Sequence, residues 1–221
     1  MEPPTTTPNH ILTRLSEADL RLLEPHLERV DLPVRRQLEE ANKRVAHVYF
    51  MESGIASVVA NGVRNIEVGI IGREGMSGLP VVMGSDARPA NEIYMQIAGT
   101  GQRMGATHLR DAINASVSLH RVMLNYAHSF MIQIQTALAN ARGKLEERLA
   151  RWLLMAHDRV KGELVLTHEF LSVMLGVRRS GVTTALQELE RRGLITHRRG
   201  FVTILDREGL EETSNGTYTA L

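Results

Sequence analysis

Six arginines, Arg178, Arg179, Arg191, Arg192, Arg198 and Arg199, fall between Leu164 and Leu205 against only Glu169, Glu188 and Glu190. The stretch carries a local charge of +3, while the whole chain carries +1 at pH 7. Phosphates respond to a local basic surface and not to a chain average, so this stretch is where a polyanion would bind. On a helix, Arg178, Arg179, Ser180, Thr183, Thr184 and Gln187 share one face, opposite Val182, Ala185, Leu186 and Leu189. These side chains suit the edges of base pairs in a major groove. Arginine meets guanine through two hydrogen bonds, glutamine meets adenine the same way, and threonine offers a hydroxyl and a methyl.

The elements that must hold this face are legible on either side. Leu164-Val165-Leu166 reads as a short strand, and Thr167 as the N-cap of a helix with Glu169 in its first turn. Phe170, Leu171, Met174 and Leu175 form that helix's apolar face, and Gly176 supplies a sharp turn into the polar-faced helix. Gly193-Leu194-Ile195 then leads into a strand, Thr196 to Gly200 forms a basic tip with Arg198 and Arg199, and Phe201 to Leu205 returns as the second strand. This order of elements is that of a winged helix-turn-helix, and residues 143–213 are read as a DNA-binding domain.

Upstream, short apolar-periodic helices between His10 and His26, with Ser16 as a start signal, precede β-rich runs. The runs are Val45 to Met51, Ile55 to Ala60, Val63 to Ile71 and Glu92 to Ala98. Asn61-Gly62 suits a type I′ turn and makes Ile55 to Ile71 a hairpin. The density of glycines from Gly54 to Gly105 suits a small antiparallel β-roll better than a parallel sheet, so residues 10–106 are read as a sensor domain. Residues 107–142 read as one long helix. In it Leu124, Ala127, Met131, Ile134 and Leu138 recur at steps of three and four, a seam for a second copy, while Val122, Met123, Tyr126 and Phe130 form another apolar patch beside it. Gly143 interrupts this helix as a hinge, and a following helix ends at Lys161-Gly162. The fold class is α+β.

Composition narrows the function classes. A 43% hydrophobic and 23% charged chain can bury real cores, no apolar run is long enough to span a membrane, and Met1 to Asn9 is polar and proline-rich rather than an export signal. The cytoplasm is the expected location. With no cysteine, disulfides, thiolate zinc, cysteine-held iron-sulfur clusters and cysteine nucleophiles are excluded. The nine histidines form no recognisable ligand motif, so no metal is expected, and no catalytic constellation appears.

These residues resemble the bacterial regulators grouped with the cyclic-AMP receptor protein and the fumarate-nitrate regulator, the Crp/Fnr family. The likeness is densest in Leu175-Gly176-Val177-Arg178-Arg179-Ser180-Gly181-Val182-Thr183, continued by Leu186, Leu189 and Gly193-Leu194-Ile195. It implies a homodimer that places one recognition helix per subunit in successive major grooves ~34 Å apart on a pseudo-palindromic duplex operator. RNA polymerase is a further partner compatible with that role. The family's base readers correspond to Arg179, Ser180, Thr183 and Thr184. Well-known members carry glutamate where Ser180 stands and often arginine where Thr184 stands, which implies a different half-site. The effector region corresponds to Gly75, Ser77, Gly78 and Arg88, without the family's Gly-Glu pair and with Pro89 after Arg88, a residue that has no N–H for a phosphate. Cyclic nucleotide is therefore disfavoured, and no cofactor is expected. The mechanism implied is a signal in the roll biasing the long helix and the Gly143 hinge. Two alternatives are a cupin-like small-molecule-binding protein or enzyme, for which His47 is the lone strand-region histidine, and a winged-helix protein-interaction module.

Overall fold

The computed structural model describes residues 9–62, 65–86, 88–160 and 163–219. The polar leader ahead of Asn9, the Val63 start of a strand and the Lys161-Gly162 helix stop lie outside the described residues. The chain forms two compact units. One comprises the chain up to Val59 with Gly69–Ile132, and the other comprises Ala60–Val68 with Gln133–Leu221.

Polar caps start the first unit. Asn9 accepts from the N–H groups of Ile11 and Leu12 to open α1 (His10–Thr13), and Ser16 accepts from Asp19 to open α2 (Glu17–Leu23). Each cap satisfies donors that a helix leaves without an internal partner. Seven strands follow: β1 (Glu28–Leu32), β2 (Gln37–Glu39), β3 (His47–Met51), β4 (Ile55–Ala60), β5 (Ile66–Ile71), β6 (Asn91–Ile97) and β7 (Gly99–Gly105). The short α3 (Leu79–Val82) lies between β5 and β6. They make a three-stranded sheet in the order β1-β7-β3 and a four-stranded sheet in the order β2-β6-β4-β5. This is the expected β-roll, antiparallel where β1 and β3 flank β7 and where β2 meets β6.

β4 and β5 are paired neighbours, as the expected hairpin requires, and the turn that runs from Asn61-Gly62 into Val63 lies outside the described residues. One strand differs from the sequence reading. β7, Gly-Thr-Gly-Gln-Arg-Met-Gly, lacks the β-branched run that marks a strand. Its glycines answer to crowding instead: a Cβ on Gly99 would lie 2.1 Å from the Ser53 carbonyl oxygen, and one on Gly101 2.6 Å from that of Phe50.

The roll closes on a core that includes Val48, Phe50, Met76, Val82, Met104, Leu109, Leu119 and Met123. Phe50 is fully buried in it. Phe50→Ala is expected to lower unfolding free energy by ~3–5 kcal/mol, read as a reduced midpoint in urea at unchanged slope.

The long helix expected from residue 107 is in fact two, α4 (Ala106–Ala115) and α5 (Val117–Asn140). Ser116 breaks it. Its backbone is extended, and its hydroxyl accepts from Leu119 N–H while donating to the carboxylate of buried Asp19. Ser118 donates to the same carboxylate, and hydrogen bonds from Ser116 and then Ser118 hold Asp19 below the usual carboxylate range. On α5, Met123 and Phe130 are buried, and Val122 and Tyr126 pack partly buried against the core. The other stripe is uncovered: Leu124 is 42%, Met131 51% and Leu138 74% exposed, with Ala127 and Ile134 half-buried. The helix thus carries two apolar faces, of which its own roll covers one.

In the second unit, α6 (Leu145–Arg159) is followed by β8 (Leu164–Val165), α7 (His168–Leu175) and α8 (Arg179–Arg191). β9 (Ile195–Arg198), β10 (Phe201–Ile204) and α9 (Arg207–Thr213) complete it. The turn between α5 and α6 contains Gly143, where a Cβ would lie 2.8 Å from both Asn140 Oδ1 and Glu147 Oε2. Leu149, Leu153 and Ala156 of α6, Leu171 and Leu175 of α7, and Val182, Ala185, Leu186 and Leu189 of α8 are all buried. A three-stranded antiparallel sheet in the order β8-β10-β9 completes the winged helix.

Candidate nucleic-acid interface

Thr167 caps α7 as its position implies, its Oγ1 accepting from Phe170 N–H at 3.1 Å. Thr167→Ala is expected to cost ~1 kcal/mol of stability, visible as a lower melting temperature. Gly176 ends the helix at φ +65°, a left-handed backbone that other residues adopt only with strain. The guanidinium of Arg148 donates to the Leu175 carbonyl at the same end.

Arg178 and Arg179 then occupy the N-cap and first position of α8. Cations are disfavoured at a helix N-terminus, whose partial charge is positive, and an arginine side chain cannot cap because it accepts no hydrogen bond. A local rule broken on an exposed surface points to function. Arg178, Arg179, Ser180, Thr184 and Gln187 are all exposed, and Thr183 is half-buried. The threonines are less free than their type suggests: Thr183 donates its hydroxyl proton to the Arg179 carbonyl and Thr184 to that of Ser180, each at 3.1 Å. Their methyls are the groups left for contact with thymine.

The six arginines divide by partner. Arg191 makes a two-pronged pair with Glu188 at 2.7 and 2.9 Å, Arg192 donates to Thr213 Oγ1, and Arg198 is held by Glu163 at 2.9 Å with its guanidinium 4.9 Å over the Phe201 ring. Among the described residues, Arg178, Arg179 and Arg199 have no carboxylate partner. Glu163 lies just upstream of the stretch from Leu164 to Leu205, which is why Arg198 reads from sequence as a free cation. The wing tip is also tighter than expected. Thr196 to Arg198 belong to β9, and Arg199-Gly200 alone make the turn, with Gly200 at φ +84°.

Between the starts of α7 and α8 and the wing lies a cleft of about 710 Å³, lined by Thr167, His168, Arg179, Arg199 and Gly200, with His197 and Arg198 beside them. In the sequence both histidines stand only among the nine that form no ligand motif. Their ring centroids are 6.2 Å apart. His168 Nδ1 lies 3.1 Å from Thr183 Oγ1, whose own proton is committed to the Arg179 carbonyl, so Nδ1 is the donor. Partial burial, then His197 and Arg179, hold His168 below the ordinary imidazole value. His197 Nδ1 stands 3.0 Å from Glu190 Oε2, at ion-pair distance without hydrogen-bond alignment. Glu190, which also accepts from the His197 backbone N–H, is held below the usual carboxylate range by that bond first.

The residues read as an effector pocket are placed differently. Gly75, Ser77 and Gly78 share one loop whose polar groups are spent internally: Ser77 Oγ accepts from Tyr49 N–H at 3.1 Å, and Gly78 N–H donates to buried Glu39. Burial pushes the Glu39 carboxyl up. A Cβ on Gly75 would collide with Tyr126, whose hydroxyl donates to the Met76 carbonyl. Arg88 is exposed and donates to the Asn42 carbonyl at 3.4 Å. Among the described residues, no three His, Asp or Glu side chains converge on a metal-sized site, and no helix is long and apolar enough to cross a membrane.

Comparison with known proteins bears on this geometry. Residues 147–213 match the model of the Crp-like helix-turn-helix domain. Among solved structures, a Crp-family transcriptional regulator from Thermus thermophilus is 21% identical with a TM-score of 0.67, over 88% of this chain and 98% of its own. FixK2 from Bradyrhizobium japonicum is 15% identical with a TM-score of 0.69, over 88% and 98%. CLP, a c-di-GMP responsive global regulator from Xanthomonas campestris, is 15% identical with a TM-score of 0.66, over 86% and 99%. No curated protein matches the chain significantly.

Proposed function

We propose that this chain is a member of the Crp/Fnr family and a sequence-specific DNA-binding transcriptional regulator that works as a homodimer, a reading supported by its match to the Crp-like helix-turn-helix domain. The observation that carries the reading is the set Arg178, Arg179 and Arg199, exposed and without carboxylate partners among the described residues, at the start of α8 and the tip of the wing. Arg191 and Arg198 are spent on neighbouring glutamates. Arg178, Arg179 and Arg199, on one basic surface, keep their charge for phosphates and base edges.

Arg179, Ser180, Thr184 and Gln187 are read as facing bases, with Arg178 and Arg199 on the backbone. Serine and threonine in place of the family's more common glutamate and arginine support an operator of its own. The exposed stripe on α5 supports the homodimer, and the continuity of α5 into the turn at Gly143 supports passage of a signal from the roll. The internal hydrogen bonds of Ser77 and Gly78 disfavour a cyclic nucleotide as that signal.

Genome-wide mapping of bound DNA in the source organism, followed by gel shifts on recovered fragments, tests the assignment. Enrichment of a pseudo-palindromic motif is the expected result, and binding without sequence preference at moderate salt would remove it. A companion expectation separates backbone from base contacts. Arg199→Ala weakens binding evenly across sequences and reduces the slope of log affinity against log salt by about 1 per subunit.

A further inference from the structure

The cleft between α8 and the wing contains more than cations. It holds His168 and His197 side by side, and neither belongs to the base-facing set. Arg179 and Arg199 line the same cleft. Arg198 is committed to Glu163 and Glu190 is engaged with His197, and among the described residues no carboxylate lines the cleft itself. His168 packs from α7 onto Thr183 of α8, with Arg179 of α8 and His197 of β9 as its charged or titratable neighbours. With Nδ1 donating to Thr183, its Nε2 carries the lone pair of the neutral ring and is the atom that takes up a second proton. What opposes that proton in the free protein is partial burial beside cations. A phosphodiester entering the cleft reverses the local balance by supplying negative charge.

We infer that this cleft seats a phosphate of the DNA backbone and that His168 takes up a proton at Nε2 as the phosphate binds, so that affinity for DNA increases as pH falls. The inference rests on the DNA-binding reading above and assigns that surface a regulation of its own. The sign follows from linkage. The bound state holds the proton more tightly than the free state, so binding strengthens as pH falls through the interval between the two values. Each proton taken up changes affinity by at most ~10-fold per pH unit, and a palindromic operator engages two clefts.

The experiment uses full-length protein and a duplex recovered by selection from a random-sequence pool. Affinity is measured between about pH 8 and about pH 6, across the histidine range, and calorimetry in two buffers of different ionisation enthalpy counts the protons taken up on binding. The expected result is tighter binding at the lower pH, by several-fold or more, with net proton uptake by the wild type. His168→Asn keeps a donor for Thr183 without a titratable ring, and it is expected to flatten the pH dependence and reduce the proton count. The calorimetric count on the wild type needs no variant, so a poorly folded substitution does not decide the matter. DNA binding without proton uptake, or an equal pH slope in His168→Asn, would overturn the inference while leaving the DNA-binding reading intact. Failure to recover any duplex at any pH would overturn both.

Discussion

Arg179→Ala is expected to cut discrimination between operator and random DNA sharply while leaving the fold and much of the non-specific affinity in place. Arg179 is the first residue of α8, exposed, and without an ion pair among the described residues, so its guanidinium is free to meet a base with two hydrogen bonds. A pair of that kind is worth ~1–3 kcal/mol of discrimination, and in a dimer it is lost twice. At ~1.4 kcal/mol per tenfold, removing both weakens specific binding roughly thirty-fold to twenty-thousand-fold. Arg179→Lys should recover little, because a lysine ammonium lacks the planar fork that matches two acceptors on one base. Competition gel shifts with operator and scrambled duplexes read the effect directly. Equal loss on both duplexes would move Arg179 to the backbone-contacting group with Arg199 and leave the base reading to Ser180, Thr184 and Gln187.

The winged helix was legible because its local signals agree with its fold. Thr167 caps, Gly176 turns at positive φ, and the alternation of Val182, Ala185, Leu186 and Leu189 with polar residues sets which face of α8 is buried. Where local signals conflict with packing, the reading fell short. β7 is a strand in spite of three glycines, since the carbonyls of Ser53 and Phe50 approach too closely for a side chain. The break at Ser116 is set by Asp19, a residue 97 positions away that binds its hydroxyl, and no periodicity within the helix reports such a partner. The same holds at the interface. Arg198 loses its free charge to Glu163, 35 residues upstream, and His168 and His197 become a pair only when α7 and the wing are folded together. The clue available in sequence was that one histidine follows the N-cap of α7 and the other sits in the wing next to Arg198-Arg199.

The α5 stripe decides whether two such winged helices act together. Leu124, Met131 and Leu138 recur every seven residues, the spacing that keeps a seam facing a partner helix, and each is an exposed large apolar side chain. Fully burying one such side chain is worth ~1.5–3 kcal/mol, and a two-fold axis presents each twice. The seam therefore has the means to offset the ~4–15 kcal/mol that association costs in lost freedom. Leu138→Glu combined with Met131→Glu places four like charges in it and is expected to convert the dimer to monomer, read as a halving of mass in sedimentation. Val34→Glu, at another exposed apolar position outside α5, is the control and should leave the mass unchanged. The consequence for DNA is large because the second half-site is bound at the effective concentration set by the dimer. Losing that tie weakens operator binding ~10²–10⁴-fold while each winged helix keeps its own contacts. If the double variant stayed dimeric, another surface would hold the two subunits and α5 would need a different occupant for its exposed face. If it became monomeric with operator affinity intact, the recognition helices would be acting singly, and the requirement for a pseudo-palindromic site would fall with the dimer.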